Sequence, residues 1–462
     1  VLRCVAISVL ALALSTRGAV QPPVPSPGEA VERVTVWRQA GVTSLALGNG
    51  VDVHLRSMIK PGNARVAIAA LVPGIELDET AATRGSAMLA IDALKPADGG
   101  GPLKLRVVQR PEGMLITAAC TTAELEGTLR QLAATLADPV VDPDAFEKAR
   151  EKAVAQSALF EGRADHNAAE AMLRLMTPAD DARLRRPARA DFEAVKLESA
   201  AAMLKRHTAS TAIDVAIVGD VDVTAIAPLV TASLGTLPPR TRDRLTDLRS
   251  IKRAPPPGGK ADAVTEGPRA MLSLSLPAPA IADLGDARLA SVASRLMERQ
   301  VADALRDSGL KVSLASGSAM TGRTYPELGA VIGSFLLAGD DAHLRAAAGV
   351  ARKRLAALVE DGPSRTQLQR AIDDTVAEIA PRIDSADYWS QSLVMAWFLR
   401  VPIDELGTAP TAINATTSQR LRQHMAKWWK PEETLTVTIL PAAKPLPAAP
   451  VLPAPEPPEP AP

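Results

Sequence analysis

The sequence predicts a protein of two consecutive units, each a mixture of strands and helices, and three observations carry that prediction. Apolar runs of strand length recur beside longer runs with helical spacing in both halves of the 462-residue chain. The order of these elements over 31–248 is repeated in outline over 264–442, a duplication of element order rather than of residues. Between the two lies KRAPPPGGKADA, whose Pro and Gly can continue neither helix nor strand, so a linker is expected at 249–263.

In the first unit, LALGNGVDVHLRSM gives two alternating runs around Asn49-Gly50, the signature of a tight hairpin. ARVAIAALVPGIELDE is a buried strand that stops at Pro73-Gly74, and TRGSAMLAIDAL (83–94) follows as a buried helix. GMLITAACTTAELEGTLRQLAATLADP reads as strand then helix, with Thr121 and Glu124 spaced for a capping box and Pro139 closing the helix. DAFEKAREKAVAQSALF and RADFEAVKLESAAAMLKRHT are each expected as one helix. TAIDVAIVGDVDVTAIAPLVTASLGTLPPR is strand, turn and helix, closed by Pro238-Pro239. In the second unit, AMLSLSLPAP is a strand and ARLASVASRLMERQVADALRDSG a long helix. Strands LKVSLASGSA and GAVIGSFLLAG follow, then helices near 341–360, 364–380, 385–400 and 416–429, and a last strand TLTVTILPA.

Composition narrows the function. Lys plus Arg and Asp plus Glu are 52 each, so the basic excess of a nucleic-acid binder is missing. Aromatics make up only 3%, which leaves Ala, Leu and Val to fill the cores. An apolar run from Cys4 to Leu14 behind one Arg is too short to span a bilayer and fits a secretory signal. A signal peptide at 1–19, a Pro-rich leader at 20–30 and a Pro/Ala-rich extended tail at 443–462 are expected. A periplasmic or secreted chain follows, with no membrane span after signal removal. Cys4 leaves with the signal and Cys120 stays alone and buried, so no disulfide framework is expected.

Four stretches together resemble the pitrilysin/insulinase-type metallopeptidases, the inverzincins, a family that includes mitochondrial processing peptidase. They are LGNGVDVHLR; ALVPGIELDETAATRGSAMLAIDAL, similar to the family's strand, Gly, Glu and "rGlAHllEHml"; VAIVGDVDVTAIAPLVTASLGTLPPR; and LMERQVADALRDSGLKVSLASGS. The likeness covers about 30 to 442. It implies an α+β fold of two similar metallohydrolase-like units, each an antiparallel sheet with helices packed on one face. It also implies that active forms close two half-shells around a chamber.

The family's H-x-x-E-H places two His on one helix face to hold Zn²⁺, with the Glu activating the bound water and a Glu from a later helix as third ligand. Gly85 and Ala87 match the family's "GlA". Met88 then falls on the first His, Ile91 on the Glu and Asp92 on the second His. Counting from Phe146, the third ligand falls on Gln156, with Glu151 the nearest carboxylate. Met88 and Ile91 are read as core packing on a dry helix face, and no zinc, cofactor or catalysis by this chain alone is expected. The family's Arg and Tyr that hold the substrate peptide correspond to Arg306 and Val312, so that pair is half present; otherwise Arg306 forms a surface salt bridge with Asp307 or a neighbour.

Other chemistry finds little support. His54, His166, His207, His343 and His424 include no pair at ligand spacing among themselves. His166 and Glu170 stand at i and i+4 and are read as a solvated helix face. No G-x-S-x-G, Walker loop or C-x-x-C occurs. For Trp428 and Trp429, one packed ring and one partner contact are expected, and YWSQSLVMAWFL is read as core among the second unit's own helices. Three functions are weighed: a non-catalytic subunit (structural or peptide-contacting) paired with a zinc-bearing paralogue as a heterodimer; a stand-alone envelope scaffold or peptide-binding protein; and, last, an enzyme with a relocated site.

Overall fold

The computed structural model describes residues 31–59, 65–98, 105–176, 185–243, 258–266, 270–278, 283–320, 330–399 and 401–441. The expected signal peptide, the Pro-rich leader, the linker up to 257 and the tail at 443–462 lie outside the described residues.

The strands of the first unit are β1 (Val31–Trp37), β2 (Val42–Leu47), β3 (Val51–Ser57), β4 (Arg65–Pro73), β5 (Leu94–Lys95), β6 (Arg106–Arg110), β7 (Gly113–Thr121), β8 (Val140–Val141) and β9 (Ile213–Gly219). Its helices are α1 (Ser86–Asp92), α2 (Leu125–Ala137), α3 (Pro143–Glu161), α4 (Ala164–Met176), α5 (Arg189–Ala194), α6 (Leu197–Ser210) and α7 (Val223–Ser233). The second unit has strands β10 (Lys260–Thr265), β11 (Ala270–Ala278), β12 (Val312–Met320), β13 (Ala330–Gly339) and β14 (Leu435–Pro441). Its helices are α8 (Leu284–Asp307), α9 (Asp341–Asp361), α10 (Arg365–Ile383), α11 (Ala386–Met395), α12 (Ala409–Asn414) and α13 (Ser418–Trp428).

Among the described residues the main sheets run β1-β2-β3-β9-β4-β7-β6 and β10-β14-β11-β13-β12. The α+β class is therefore met, with one refinement. Each sheet contains one parallel pair, β3 with β9 and β10 with β14. In both units the last strand returns from a helical excursion into the sheet interior, a route that tight hairpins do not take. The second unit's regular structure also begins earlier than expected: β10 (Lys260–Thr265) takes in 260–263, the end of the stretch read as linker.

Local physics explains the element ends. At the β2–β3 turn, Gly50 has φ +82°, and a Cβ there would meet the Arg240 carbonyl oxygen at 2.2 Å. Buried Asn49 donates through Nδ2 to the carbonyls of Leu234, Gly235 and Leu237 at 2.9, 3.2 and 3.0 Å. Arg240 donates to the carbonyls of Pro238 and Thr208, and burial without a carboxylate partner among these contacts brings its pKa down to about 10. The hairpin turn and the LPPR end of the unit thus lock each other. The capping box is present: Thr121 N–H and Oγ1–H both donate to Glu124 Oε2, at 2.8 and 2.9 Å. The single helix expected over RADFEAVKLESAAAMLKRHT is two, because buried Val195 takes extended angles between α5 and α6.

The two faces of each sheet are covered from different places. On the first sheet, Ile68, Ala70, Val215 and Ile217 face the unit's own helices. The alternate residues Ala69, Leu71, Ala216 and Val218 face Trp389, Leu393, Val394 and Phe398 of α11 and the chain after it. Trp389 is 1% exposed, donates Nε1–H to the Ile383 carbonyl at 2.7 Å and lies under the Arg56 guanidinium, 3.8 Å from the ring centroid. On the second sheet, Leu435, Val437 and Ile439 face Ala164, Ala168 and Met172 of α4. The two units therefore exchange one helix each. This corrects the reading of YWSQSLVMAWFL as core within the second unit: it covers the first unit's sheet, whose outer face would otherwise be bare. Trp428 and Trp429 are both buried, at 3% and 1% exposure, so the partner contact expected of one ring is replaced by packing. Trp429 also donates Nε1–H to Thr434 Oγ1 at 3.1 Å.

Trp389→Ala is expected to destabilise the full chain by about 3–5 kcal/mol in urea unfolding, the usual loss for truncating a buried aromatic. A change under about 1 kcal/mol would leave the exchanged helix without energetic weight.

Candidate functional site

The stretch that aligns with the family's zinc helix forms α1, only 7 residues long and unable to hold itself. Gly85 caps it at φ +92°, where a Cβ would come within 2.9 Å of the Phe192 ring. Glu79, 4% exposed, anchors the first turn: Ala87 N–H donates to Oε1 at 2.8 Å and Arg84 Nη1 to Oε2 at 2.5 Å. Arg84 also donates to the Arg185 carbonyl. A buried ion pair thus sets α1 against α3 and α6.

The four family positions come apart in character. Ile91 is 1% exposed and belongs to the first core. Met88 is half-buried, packed against that core on one side and lining a cavity of about 1030 Å³ on the other. Gln156, from α3, lines the same cavity. Asp92 is exposed and outside that lining. Its crowded setting raises its pKa by desolvation, opposed by the Lys152 charge. The structure therefore brings Met88 and Gln156 together and leaves Ile91 and Asp92 apart from them. The helix face read as dry is mixed, since Gln156, Glu161 and Glu170 line the same space as Met88.

A catalytic Zn²⁺ needs three nitrogen, oxygen or thiolate donors converging at about 2.0–2.3 Å. Here one position is buried hydrocarbon, one a thioether, one a neutral amide and one a carboxylate outside the cavity. These residues do not fit the family's zinc. Among the described residues no group of three or more His, Cys, Asp or Glu stands together as a metal site.

Arg306 lies exposed on the last turn of α8, paired with Asp303 and, at 3.7 Å, with Asp307. Val312 opens β12 and packs partly on the second core. Neither lines the cavity.

The cavity is walled by the end of α3, by α4, by the approach to α5 and by β10. Five arginines line it, and three have carboxylates of their own. Arg163 donates to both oxygens of Asp165 at 3.0 and 2.7 Å, Arg185 to both of Asp191 at 2.7 and 3.2 Å, and Arg189 to Glu193 at 2.9 Å. Arg174 and Arg186 share Glu170, at 3.5 and 4.0 Å. Arg186 also donates Nη1–H to His166 Nδ1 at 3.2 Å, and His166 stacks on Phe160 with centroids 5.1 Å apart. Burial, then the Arg186 charge, push the His166 pKa down, so its ring accepts as a neutral imidazole. His166 and Glu170 are thus cavity groups flanking Arg186 rather than the solvated helix face expected. The sequence reading missed this basic wall, although Arg185, Arg186 and Arg189 crowd five residues and could have been flagged by local charge.

A second cluster has the order of a hydrolytic triad. Ser44 Oγ lies 2.8 Å from His54 Nδ1, and His54 Nε2 3.8 Å from Asp214 Oδ1. It is wired for structure. Trp37 Nε1 donates to Ser44 Oγ at 2.9 Å, and Arg242 takes both Asp214 oxygens at 2.7 and 2.9 Å plus Asp52 at 2.7 Å. Arg242 also sits 4.5 Å from the Trp397 ring centroid, beneath the exchanged segment. Burial raises the Asp214 pKa, but the Arg242 charge and hydrogen bonds together with His54 bring it below the usual carboxylate range.

Residues 194–374 match the family model described as the peptidase M16 inactive domain. No curated protein matches the chain. Among solved structures, a peptidase M16 inactive domain from Pseudomonas fluorescens aligns at TM-score 0.69 and 15% identity, covering 88% of this chain and 100% of that one. The periplasmic protease PqqL from Escherichia coli aligns at 0.71 and 14%, covering 92% of this chain and 48% of that one. The ferredoxin protease FusC, solved with Arabidopsis ferredoxin, aligns at 0.67 and 15%, again covering 92% and 48%. The chain thus spans about half the length of these two proteases and has the fold of each.

Two outcomes are expected. Ile91→Glu, the change that restores the family's acid, lowers stability by about 3 kcal/mol or more in thermal denaturation, because it buries an unpaired carboxylate. An unaffected transition would place position 91 at the surface. As Asp214 has a depressed folded pKa, its contribution is complete above the unfolded value of about 3.9 and is lost as pH falls through the folded one. The acid limb of stability is expected to be shallower in Asp214→Asn than in the native chain, read from urea midpoints across acid pH.

Proposed function

We propose that the chain is a non-catalytic member of the M16 peptidase family, the pitrilysin/insulinase type, and serves as the structural or peptide-contacting subunit of a heteromeric zinc peptidase. One observation carries the reading: the family's zinc helix is kept as a helix, capped and anchored by Glu79 and Arg84, while its chemistry is replaced by Met88 and by Ile91 in the core. A scaffold kept intact around a rewritten metal helix suits a wall of a shared chamber better than a catalyst. A zinc-bearing paralogue supplies the metal and the water-activating Glu in this arrangement. An exported, periplasmic setting agrees with the apolar run from Cys4 to Leu14, and no helix among the described residues is long and apolar enough to cross a membrane.

The test is to purify the chain alone and together with a zinc-bearing M16 paralogue from the same source. Light scattering, zinc content and peptide cleavage are then measured. The expected result is no zinc or cleavage by the lone chain and a stoichiometric complex that cleaves faster than the paralogue alone. Stoichiometric zinc in the lone chain, or no complex, overturns the reading.

A further inference from the structure

The edge of the second sheet at β10 opens on the cavity, and its backbone is only partly used. β10 pairs with β14 in parallel, and the Gly259 carbonyl accepts from Thr436 N–H at 2.9 Å. In a pleated strand alternate residues turn both backbone groups to the same side. Ala261 and Ala263 therefore bond toward β14, and Lys260, Asp262 and Val264 turn theirs outward. The first unit already takes the far end of this edge. Asn167 Nδ2 donates to the Val264 carbonyl at 2.6 Å, and Glu266 N–H donates to the Gly162 carbonyl at 2.9 Å. The outward N–H and C=O of Lys260 and Asp262 have no hydrogen-bond partner among the described residues, and 261–264 line the cavity of about 1030 Å³. An edge of this kind is a template for another strand.

Charge indicates what that strand carries. Of the five cavity arginines, Arg174 and Arg186 share, among the described residues, the one carboxylate of Glu170, at 3.5 and 4.0 Å, and their side chains are 74% and 50% exposed. Guanidinium donors are thus left over on the wall that shares this space with the open edge.

We propose that the free edge of β10 receives an extended acidic peptide as an added strand, with peptide carboxylates taken by Arg174 and Arg186. This deepens the peptide-contacting form of the function proposed above and rests on it.

The experiment uses the full chain and fluorescein-labelled peptides of alternating Val and Glu, about six residues long to match the edge, read by fluorescence anisotropy. Two versions carry N-methyl groups on one or the other alternate set of amides, and one replaces Glu with Lys. Binding of the Glu peptide is expected, with about a tenfold or greater loss for the Lys version and for one of the two methylated versions. The other methylated version keeps its affinity, because an added strand has only one paired side. Asp262→Pro, which removes an outward N–H at an edge where Pro is tolerated, weakens binding. Arg174→Ala with Arg186→Ala removes the preference for Glu over Lys. Equal binding of both methylated peptides, or none by the Glu peptide, overturns the proposal. The same variants are assayed for assembly with the zinc-bearing paralogue. A complex without peptide binding sinks this site alone, whereas peptide binding without a complex sinks the subunit reading alone.

Discussion

Each sheet of this protein has two apolar faces, and each unit's own helices cover only one of them. The alternation along β4 and β9 is the clearest case: Ile68, Ala70, Val215 and Ile217 go one way, Ala69, Leu71, Ala216 and Val218 the other, and all are buried. The outer set is closed by α11, from the other half of the chain. The second sheet is closed in the same manner by α4. Leaving either face open would expose apolar area at about 25 cal/mol per Å², so the two units are held to each other by what each lacks. The small side chains at Ala69 and Ala216 let α11 lie close to the strands, which is why so bulky a residue as Trp389 fits there at 1% exposure.

The cavity follows from the same exchange. To reach the second sheet, the chain must leave α3 at Glu161, turn at Gly162 and run along β10 as α4. That path carries Gln156 and Phe160 at the end of α3, and Glu170 and Arg174 on α4, past the edge strand of the second unit. The approach to α5 adds Arg185 and Arg186, and α1 adds Met88. Met88 and Gln156, two of the four positions that the resemblance aligns with the family's metal site, thus wall a space that both units define. Changing residues on α1 alters the chemistry of that space without touching the exchange that creates it, and the loss of metal donors is compatible with an intact fold for that reason.

Much of this was legible in the sequence because it is set locally. The Asn49-Gly50 turn, the stop at Pro73-Gly74 and the Thr121–Glu124 box are each decided within a few residues, and all three stand in the structure. Of the four positions that the resemblance aligns with the family's metal site, Met88 and Gln156 line one cavity, while Ile91 and Asp92 do not. What escaped was non-local. A run such as ARVAIAALVP announces burial on both sides but not what covers it, so the sequence places YWSQSLVMAWFL among the second unit's own helices and the His166–Glu170 face in solvent, where the fold sets α11 and α4 on the sheets. The break at Val195 depends on a core position that helical spacing alone does not reveal. The basic wall was visible only as scattered arginines until the fold gathered them.

The cluster at Ser44, His54 and Asp214 shows how such polar groups are to be read. Its members are neighbours because β2, β3 and β9 are adjacent and in register, with Ser44 opposite His54 and Asp52 opposite Asp214. A catalytic carboxylate must be held for the imidazole, but here both oxygens of Asp214 are occupied by Arg242 and the imidazole stands 3.8 Å off, beyond a hydrogen bond. The serine hydroxyl is equally engaged, receiving Trp37 Nε1–H while it meets His54. What the cluster does hold is Arg242, fixed by two carboxylates against the ring of Trp397 at the seam between the units. A half-buried cation held by two carboxylates in this way has one good position, and the segment stacked on it has one good docking. The same logic governs Glu79 and Arg84 at the other end of the first unit, where a buried pair sets the angle of α1. In both places charge that resembles machinery fixes how helices seat on sheets, whereas beside β10 Arg174 and Arg186 share the carboxylate of Glu170.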